Sequence, residues 1–224
     1  MLYNTKLCNT RLCIRKFPDS LSFQKRLRTE WQHHKNVSYC LYGSKMHLMT
    51  TIFQKKSFPF YKFGEIMYLK NIPLESWTPY IQRQFRSAGK EISNETVRSL
   101  CETVDYQSSY VQQLAYCTLL RTIGTVTPDI LQAATTDLIE QNSSIFIEQV
   151  QSLTSYQLNF LRAVISGIKD HFGEEKTREE FRLGSPSNIN RLKTTLTNKE
   201  LIEQTSSGII IGDPVLKLWL SKIL

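Results

Sequence analysis

No stretch of this 224-residue sequence approaches the roughly 20 consecutive apolar residues that a membrane-spanning helix requires. No apolar signal core follows the basic first residues, so the start does not predict a secretory leader either. The five cysteines are odd in number and scattered, and none forms a CxxC pair or a Cys/His set with zinc-ligand spacing. These absences favour a cytoplasmic protein with free thiols and without a metal site.

Acidic residues are scarce in the first third of the chain. Residues 1–70 contain 13 Lys/Arg against 3 Asp/Glu, residues 71–150 contain 5 against 9, and residues 151–224 contain 10 against 8. A basic block of this strength is typical of a surface that meets nucleic acid, an anionic membrane or an acidic partner. A targeting arm over residues 1–16 is a weaker interpretation, because that stretch has little Ser and no clean amphipathic period.

The middle of the chain predicts helices throughout. A helix over 74–88 has apolar residues on one face, and Ser93 is typical of the N-cap of the next helix. Thr127 followed by Pro128 predicts the start of a long helix, since proline is favoured at the first helical position. We therefore predict an all-helical unit over 73–150.

Residues 151–224 predict a second unit of a different kind. Thr154 with Gln157, and Thr177 with Glu180, have the spacing of capping boxes that begin two helices. A third helix is predicted from Pro186, and a Ser-Ser-Gly turn then joins two short extended pieces. Two helices joined by a tight turn, followed by a hairpin, predict a winged helix-turn-helix.

The first 72 residues predict a partial α/β layer. A helix beginning at Asp19 or Ser20 precedes an apolar segment over 37–42, which indicates a strand covered on both faces. A second strand is predicted over Glu65–Leu69. Two strands are too few for a stable sheet, so we expect part of the layer to be missing before residue 17.

The order of these parts resembles that of prokaryotic, archaeal-type P-loop ATPases related to the AAA+ and STAND groups. The stretch from "KFPDSLSFQKRL" to "KNIPLESW" is similar to the second half of their nucleotide-binding domain. The resemblance implies an α/β remnant followed by a mainly α chain: a partial ATPase core over 1–72, a helical lid over 73–150 and a winged helix over 151–224.

The resemblance also implies a role for the polar residues that follow the apolar strand. Ser44 lies where the family places a sensor residue that faces the terminal phosphate of ATP, and Lys45 is predicted to add nucleotide-binding charge. A hydroxyl suits this role because it donates to a phosphate oxygen and accepts from water. Ser44 is equally suited to cap a helix that starts near Met46.

The sequence departs from the ATPase pattern where the chemistry is most demanding. It contains no G-x-x-x-x-G-K-[ST] loop to bind phosphates, and no acidic strand end before Asp19 to hold magnesium. ATP and Mg²⁺ are thus implied by the family alone. We predict a truncated or frameshifted ATPase, with residues 1–13 unrelated to it, that is not catalytic without a protein partner or its missing half. The basic excess of residues 1–70 then follows from the absence of acidic parts of the catalytic half and does not require nucleic acid.

The alternative function is a binding module that uses the winged helix without nucleotide. Its second helix is predicted to present polar side chains to a DNA major groove. The predicted contacts are Ser187, Asn188, Arg191 and Lys193. Because this segment is only modestly basic, packing against its own chain or against another protein is favoured over contact with DNA.

Overall fold

The computed structural model describes residues 6–10, 20–42 and 46–224, with side chains described over 21–42 and 49–224. The described residues divide into two compact units that meet in sequence at Leu69 and Lys70. Among the described helices, none is long and apolar enough to cross a membrane.

The first unit is a small α/β layer. Strand β1 (Lys6–Thr10) pairs in parallel with β2 (Val37–Leu41), and helix α1 (Ser20–Trp31) provides the crossover between them. Helix α2 (Met46–Gln54) follows, as predicted. The sequence pattern assigns residues 1–13 to unrelated sequence, yet residues 6–10 form the partner of β2.

Two predictions for this unit are wrong. β2 alternates between half-buried and exposed residues instead of being covered on both faces, because a two-stranded layer shields only one side. Residues 65–69 do not form a strand, and Met67 and Leu69 remain 83% and 85% exposed. Within the described residues, the sheet of this unit consists of β1 and β2, and residues 65–69 join neither of its edges.

The second unit begins with four helices. They are α3 (Leu74–Ser87), α4 (Asn94–Thr103), α5 (Ser108–Arg121) and α6 (Pro128–Gln151). The predicted caps are confirmed: the side chain of Ser93 accepts from the Thr96 N–H, and that of Thr127 accepts from the Ile130 N–H. These bonds satisfy backbone donors that a helix leaves free at its start.

The unit continues with α7 (Ser155–Ile165), α8 (Glu175–Glu180), α9 (Pro186–Asn198), β3 (Ile202–Thr205), β4 (Gly208–Ile211) and α10 (Pro214–Ile223). The capping box of Thr154 and Gln157 is complete. The second predicted box is wrong, because α8 starts two residues before Thr177 and buries that side chain within the helix. The hairpin is confirmed, with β3 and β4 antiparallel.

One hydrophobic core runs through the whole second unit, from Trp77 in α3 to Leu220 in α10. Phe146 of α6 packs on Trp219 of α10 with ring centroids 5.8 Å apart. The domain boundaries predicted at 72 and 150 remain predictions, but residues on both sides of position 150 share this core.

Gly208, at the start of β4, occupies a position that no other residue fits. Its φ is +109°, and an added Cβ would lie 2.7 Å from the carbonyl oxygen of Lys169. The close approach lets the Ile209 N–H donate to that same oxygen at 2.9 Å. The hairpin is thereby joined to the segment that follows α7.

We expect Gly208→Ala to lower the free energy of unfolding by about 2 kcal/mol or more, since it combines a strained φ with a backbone clash. Urea denaturation measures the change. Gly173→Ala is the matched control, because Gly173 has an ordinary φ and an added Cβ there would meet nothing within 4 Å. Equal stabilities of the two variants would contradict the role assigned to Gly208.

Candidate macromolecular interface

The predicted sensor residues Ser44 and Lys45 lie between the end of β2 at Leu41 and the start of α2 at Met46, outside the described residues. Their assignment therefore stays a prediction.

The described residues show neither a phosphate-binding loop nor a metal-binding cluster that would hold ATP and magnesium. Eight of the nine glycines are described, and five of these have positive φ in turns or beside helix ends, not in a phosphate-binding loop. The described side chains include no group of three or more His, Cys, Asp or Glu residues that could hold a metal ion. His33 and His34 are exposed, and the His34 ring bonds instead to the Tyr39 hydroxyl.

The clearest candidate surface in the second unit is the outer face of α9. Ile189, Leu192 and Leu196 lie at helical spacing and are buried against the core. Their burial fixes the rotation of the helix. The opposite face is exposed, and it presents Ser187, Asn190, Arg191 and Thr194 to solvent.

The turn that leads into α9 is held by side chains. The guanidinium of Arg178 donates to the carbonyl oxygens of Gly173 at 3.1 Å and Gly184 at 3.2 Å. The side-chain amide of Asn188 donates to the Leu183 carbonyl at 3.0 Å. Asn188 therefore stabilises its own turn, and its amide nitrogen is engaged there.

Lys193 is also engaged within the domain. Its ammonium group lies 5.3 Å from the centroid of the buried Phe172 ring, a distance that gives a favourable cation–π contact. Of the four predicted DNA contacts, Ser187 and Arg191 are exposed, and the Ser187 hydroxyl shares a hydrogen bond with Ser185. The structure thus places all four on one helix but leaves Arg191 as the exposed cation among them.

The charge around this face is close to balanced. Residues 171–200 contain six Lys/Arg and five Asp/Glu. Four exposed glutamates lie in or beside α8, the helix that precedes α9: Glu174, Glu175, Glu179 and Glu180. A committed DNA-binding surface carries a strong positive stripe, and this one does not.

Sequence reasoning missed a groove between α3 and α5. It encloses about 270 Å³ and is lined by nonpolar and aromatic side chains with two glutamines at its edge: Trp77, Tyr80, Ile81, Gln84, Phe85, Gln112, Ala115, Tyr116 and Leu119. The buried Nε1 of Trp77 has no hydrogen-bond partner among the described residues. The available signal in the sequence was the weak apolar period of α5. Tyr116 and Leu120 lie off its buried face and are exposed in the structure.

Comparisons with known proteins agree with this architecture. Residues 144–222 match the family model described as a probable winged helix domain. The structure is similar to a Walker-type ATPase of Pyrococcus abyssi, with a TM-score of 0.67 and 15% sequence identity. The match covers 91% of this chain and 58% of the ATPase chain. A search of curated proteins finds no match.

These findings confirm the predicted resemblance at the level of the fold. The chain has the fold of part of a P-loop ATPase and ends in a winged helix. It spans somewhat more than half the length of the ATPase that it matches.

Proposed function

We propose that this chain corresponds to the carboxyl-terminal part of a P-loop ATPase of the AAA+/STAND type and acts as a binding module that does not hydrolyse ATP alone. The fold supports the ancestry. The missing phosphate-binding loop and acidic strand end support the lack of autonomous hydrolysis, because phosphoryl transfer depends on positioning the phosphates and their metal ion.

We further propose that the winged helix binds a protein partner through the outer face of α9. The observation that carries this proposal is the polar, nearly uncharged surface presented by Ser187, Asn190 and Thr194, with Arg191 as its exposed cation. Such a surface offers directional hydrogen bonds and one charge for specificity, but little of the phosphate attraction on which DNA affinity depends.

Two titrations of the purified chain test whether it binds ATP and whether the α9 face binds DNA. With a fluorescent ATP analogue and Mg²⁺ we expect no saturable binding. With a labelled DNA duplex we expect Arg191→Ala to leave the affinity unchanged. A loss of duplex affinity in the Arg191→Ala variant would assign the face to DNA, and saturable Mg²⁺-dependent ATP binding would overturn the binding-module assignment.

Photo-crosslinking tests the protein partner directly. A benzoylphenylalanine at Asn190 should give a discrete protein adduct in cells that express the chain. The same group at Lys217, an exposed position on α10, is the control and should not give that adduct. Identical adduct patterns from the two positions would count against the α9 face as the interface.

A further inference from the structure

The charge of the chain is concentrated in its first unit. Residues 1–69 contain 12 Lys/Arg against 3 Asp/Glu, whereas residues 70–224 contain 16 against 17. Among the residues of the first unit whose side chains are described there are seven cations and two anions, and every one of these cations except Arg28 is exposed. The function proposed for the winged helix leaves this excess unexplained.

Aromatic rings lie among these cations in the loop after α2. Phe60 anchors the loop, since it is 1% exposed and packs against Trp31, Phe53 and Phe63. The neighbouring Tyr61 and Phe63 are only half-buried. Both residues are therefore partly accessible to solvent.

Each of the two half-buried rings has a cation beside it. The ammonium of Lys62 lies 5.6 Å from the Tyr61 ring centroid, and the guanidinium of Arg28 lies 5.4 Å from that of Phe63. These are cation–π distances. Positive charge and π surface thus alternate along the loop.

Hydrogen bonds connect the loop to two helices that carry further lysines. Arg28 of α1 donates to the carbonyl oxygens of Pro59 and Tyr61, so Lys25, one helical turn earlier, lies on the side of α1 that meets the loop. The Lys62 N–H donates to the Phe53 carbonyl at 3.1 Å, which places the loop beside the end of α2 and the following Lys55 and Lys56. We call Lys25, Lys55, Lys56, Tyr61, Lys62 and Phe63 the basic aromatic surface.

We propose that the basic aromatic surface binds single-stranded nucleic acid. The lysines contact phosphates, and unstacked bases lie on the open parts of the Tyr61 and Phe63 rings. Proteins that bind single strands without sequence preference combine these two elements, a positive groove and aromatic platforms. A duplex would meet the lysines but not the rings, because its bases remain stacked inside.

The test is a fluorescence-anisotropy titration of the full chain with labelled oligothymidylate and oligouridylate of about 20 nucleotides, between about 50 and 200 mM salt. The variant changes Lys55, Lys56 and Lys62 to Ala. The matched control changes three exposed lysines of the second unit, Lys176, Lys217 and Lys222, to Ala. Circular dichroism verifies that each variant is folded.

We expect the first variant to lose about tenfold or more in affinity at low salt and to reduce the slope of log K against log salt by about 2, since each lost phosphate contact contributes roughly 0.7 for single strands. The control variant should bind like the unaltered chain, as should Arg191→Ala. Equal losses in the variant and its matched control would overturn the proposal.

Stacking is tested separately from charge. An oligonucleotide carrying 4-thiouridine should crosslink to Tyr61 or Phe63 when irradiated, and peptide mapping identifies the site. Polyglutamate should compete poorly with the oligonucleotide. Competition by polyglutamate at equal charge concentration, or crosslinks confined to the winged helix, would overturn the assignment and leave an acidic protein or the α9 face as the binding site.

Discussion

Replacing Phe160 with alanine should lower the free energy of unfolding by about 3–5 kcal/mol, the range observed when a buried aromatic side chain is removed. Phe160 is completely buried in α7, and its ring stacks on Phe172 with centroids 4.4 Å apart. The substitution deletes that contact and leaves a cavity that the surrounding helices can fill only in part. Because domains are stable by only about 5–15 kcal/mol, the loss should be obvious in urea denaturation.

Tyr156→Ala is the matched control for this change. Tyr156 lies on the same helix and loses a ring of similar size, but it is 51% exposed. We expect its cost to be about 1 kcal/mol or less, since most of the lost surface was already in water. Similar midpoints for the two variants would mean that the core around Phe160 is not packed as described.

The reactivity of a buried cysteine shows whether helices α3–α6 and the winged helix unfold together. Cys101 is buried in α4, and burial raises the pKa of its thiol to about 11, with the nearby Glu102 adding to the effect. The thiol is therefore inert while α4 is folded. Because one core spans the unit, we expect Cys101 to become reactive, in peptide mapping, at the same urea concentration at which the winged helix unfolds. Reaction at a different concentration would indicate two independent transitions.

Most of the helical architecture could be predicted from capping chemistry. Ser93, Thr127 and Thr154 each begin a helix in the structure as they do in the sequence pattern. These signals are reliable because a helix start leaves backbone donors that only nearby residues can satisfy. The prediction fails at Thr177, where the same spacing occurs inside a helix and tertiary packing buries the threonine.

The strands could not be predicted as well, because pairing depends on residues distant in sequence. The apolar pattern over 65–69 is that of a strand, yet these residues pair with no other described strand. Lys6–Thr10 has little apolar pattern but lies beside β2 and pairs with it. Helix α10 was overlooked although Asp213 and Pro214 repeat the cap-then-proline signal that identified α6.

The sequence predicted the helix that carries the candidate interface, whereas the role of its exposed face stays a prediction. Helical periodicity identified the buried face of α9 and therefore its exposed face. It did not show that the Asn188 amide bonds to Leu183 or that Lys193 lies over Phe172, because both partners come from segments earlier in the domain. The sequence therefore predicts the helix more reliably than it predicts which of its polar side chains are available to a partner.

Helix α5 and the winged helix are joined by a polar contact that the sequence did not predict. The Tyr110 hydroxyl of α5 donates to one carboxylate oxygen of Asp213 at 2.7 Å. The other oxygen accepts from the backbone N–H groups of Val215 and Leu216 and so caps α10. Gln107 adds a bond from its amide to the Gly212 carbonyl at 3.0 Å. The Asp213 carboxylate thus caps the start of α10 and also accepts a hydrogen bond from α5.

Asp213→Ala should lower the free energy of unfolding by about 2–4 kcal/mol, because it removes a helix cap and also leaves the Tyr110 hydroxyl without its acceptor. Tyr110→Phe should cost about 1 kcal/mol, since it removes only the shared bond. The double variant should cost less than the sum of the two single changes, because the bond between the residues is lost in both. Urea denaturation at neutral pH measures all three.

Asp213→Asn is the matched control, since an asparagine keeps the capping oxygen and can still bond to the tyrosine hydroxyl. It should retain most of the stability that Asp213→Ala loses, and equal losses would show that the carboxylate acts through charge rather than through these bonds.

The dependence of stability on high pH gives a second measurement. Burial, together with the bond to Asp213, raises the pKa of Tyr110 above its usual value of about 10. The folded state therefore keeps this proton more tightly than the unfolded state, so the stabilisation is complete below about pH 10 and is lost as the pH rises further. Tyr110→Phe should flatten that decline, and an unchanged decline would mean that Tyr110 is not the group that titrates.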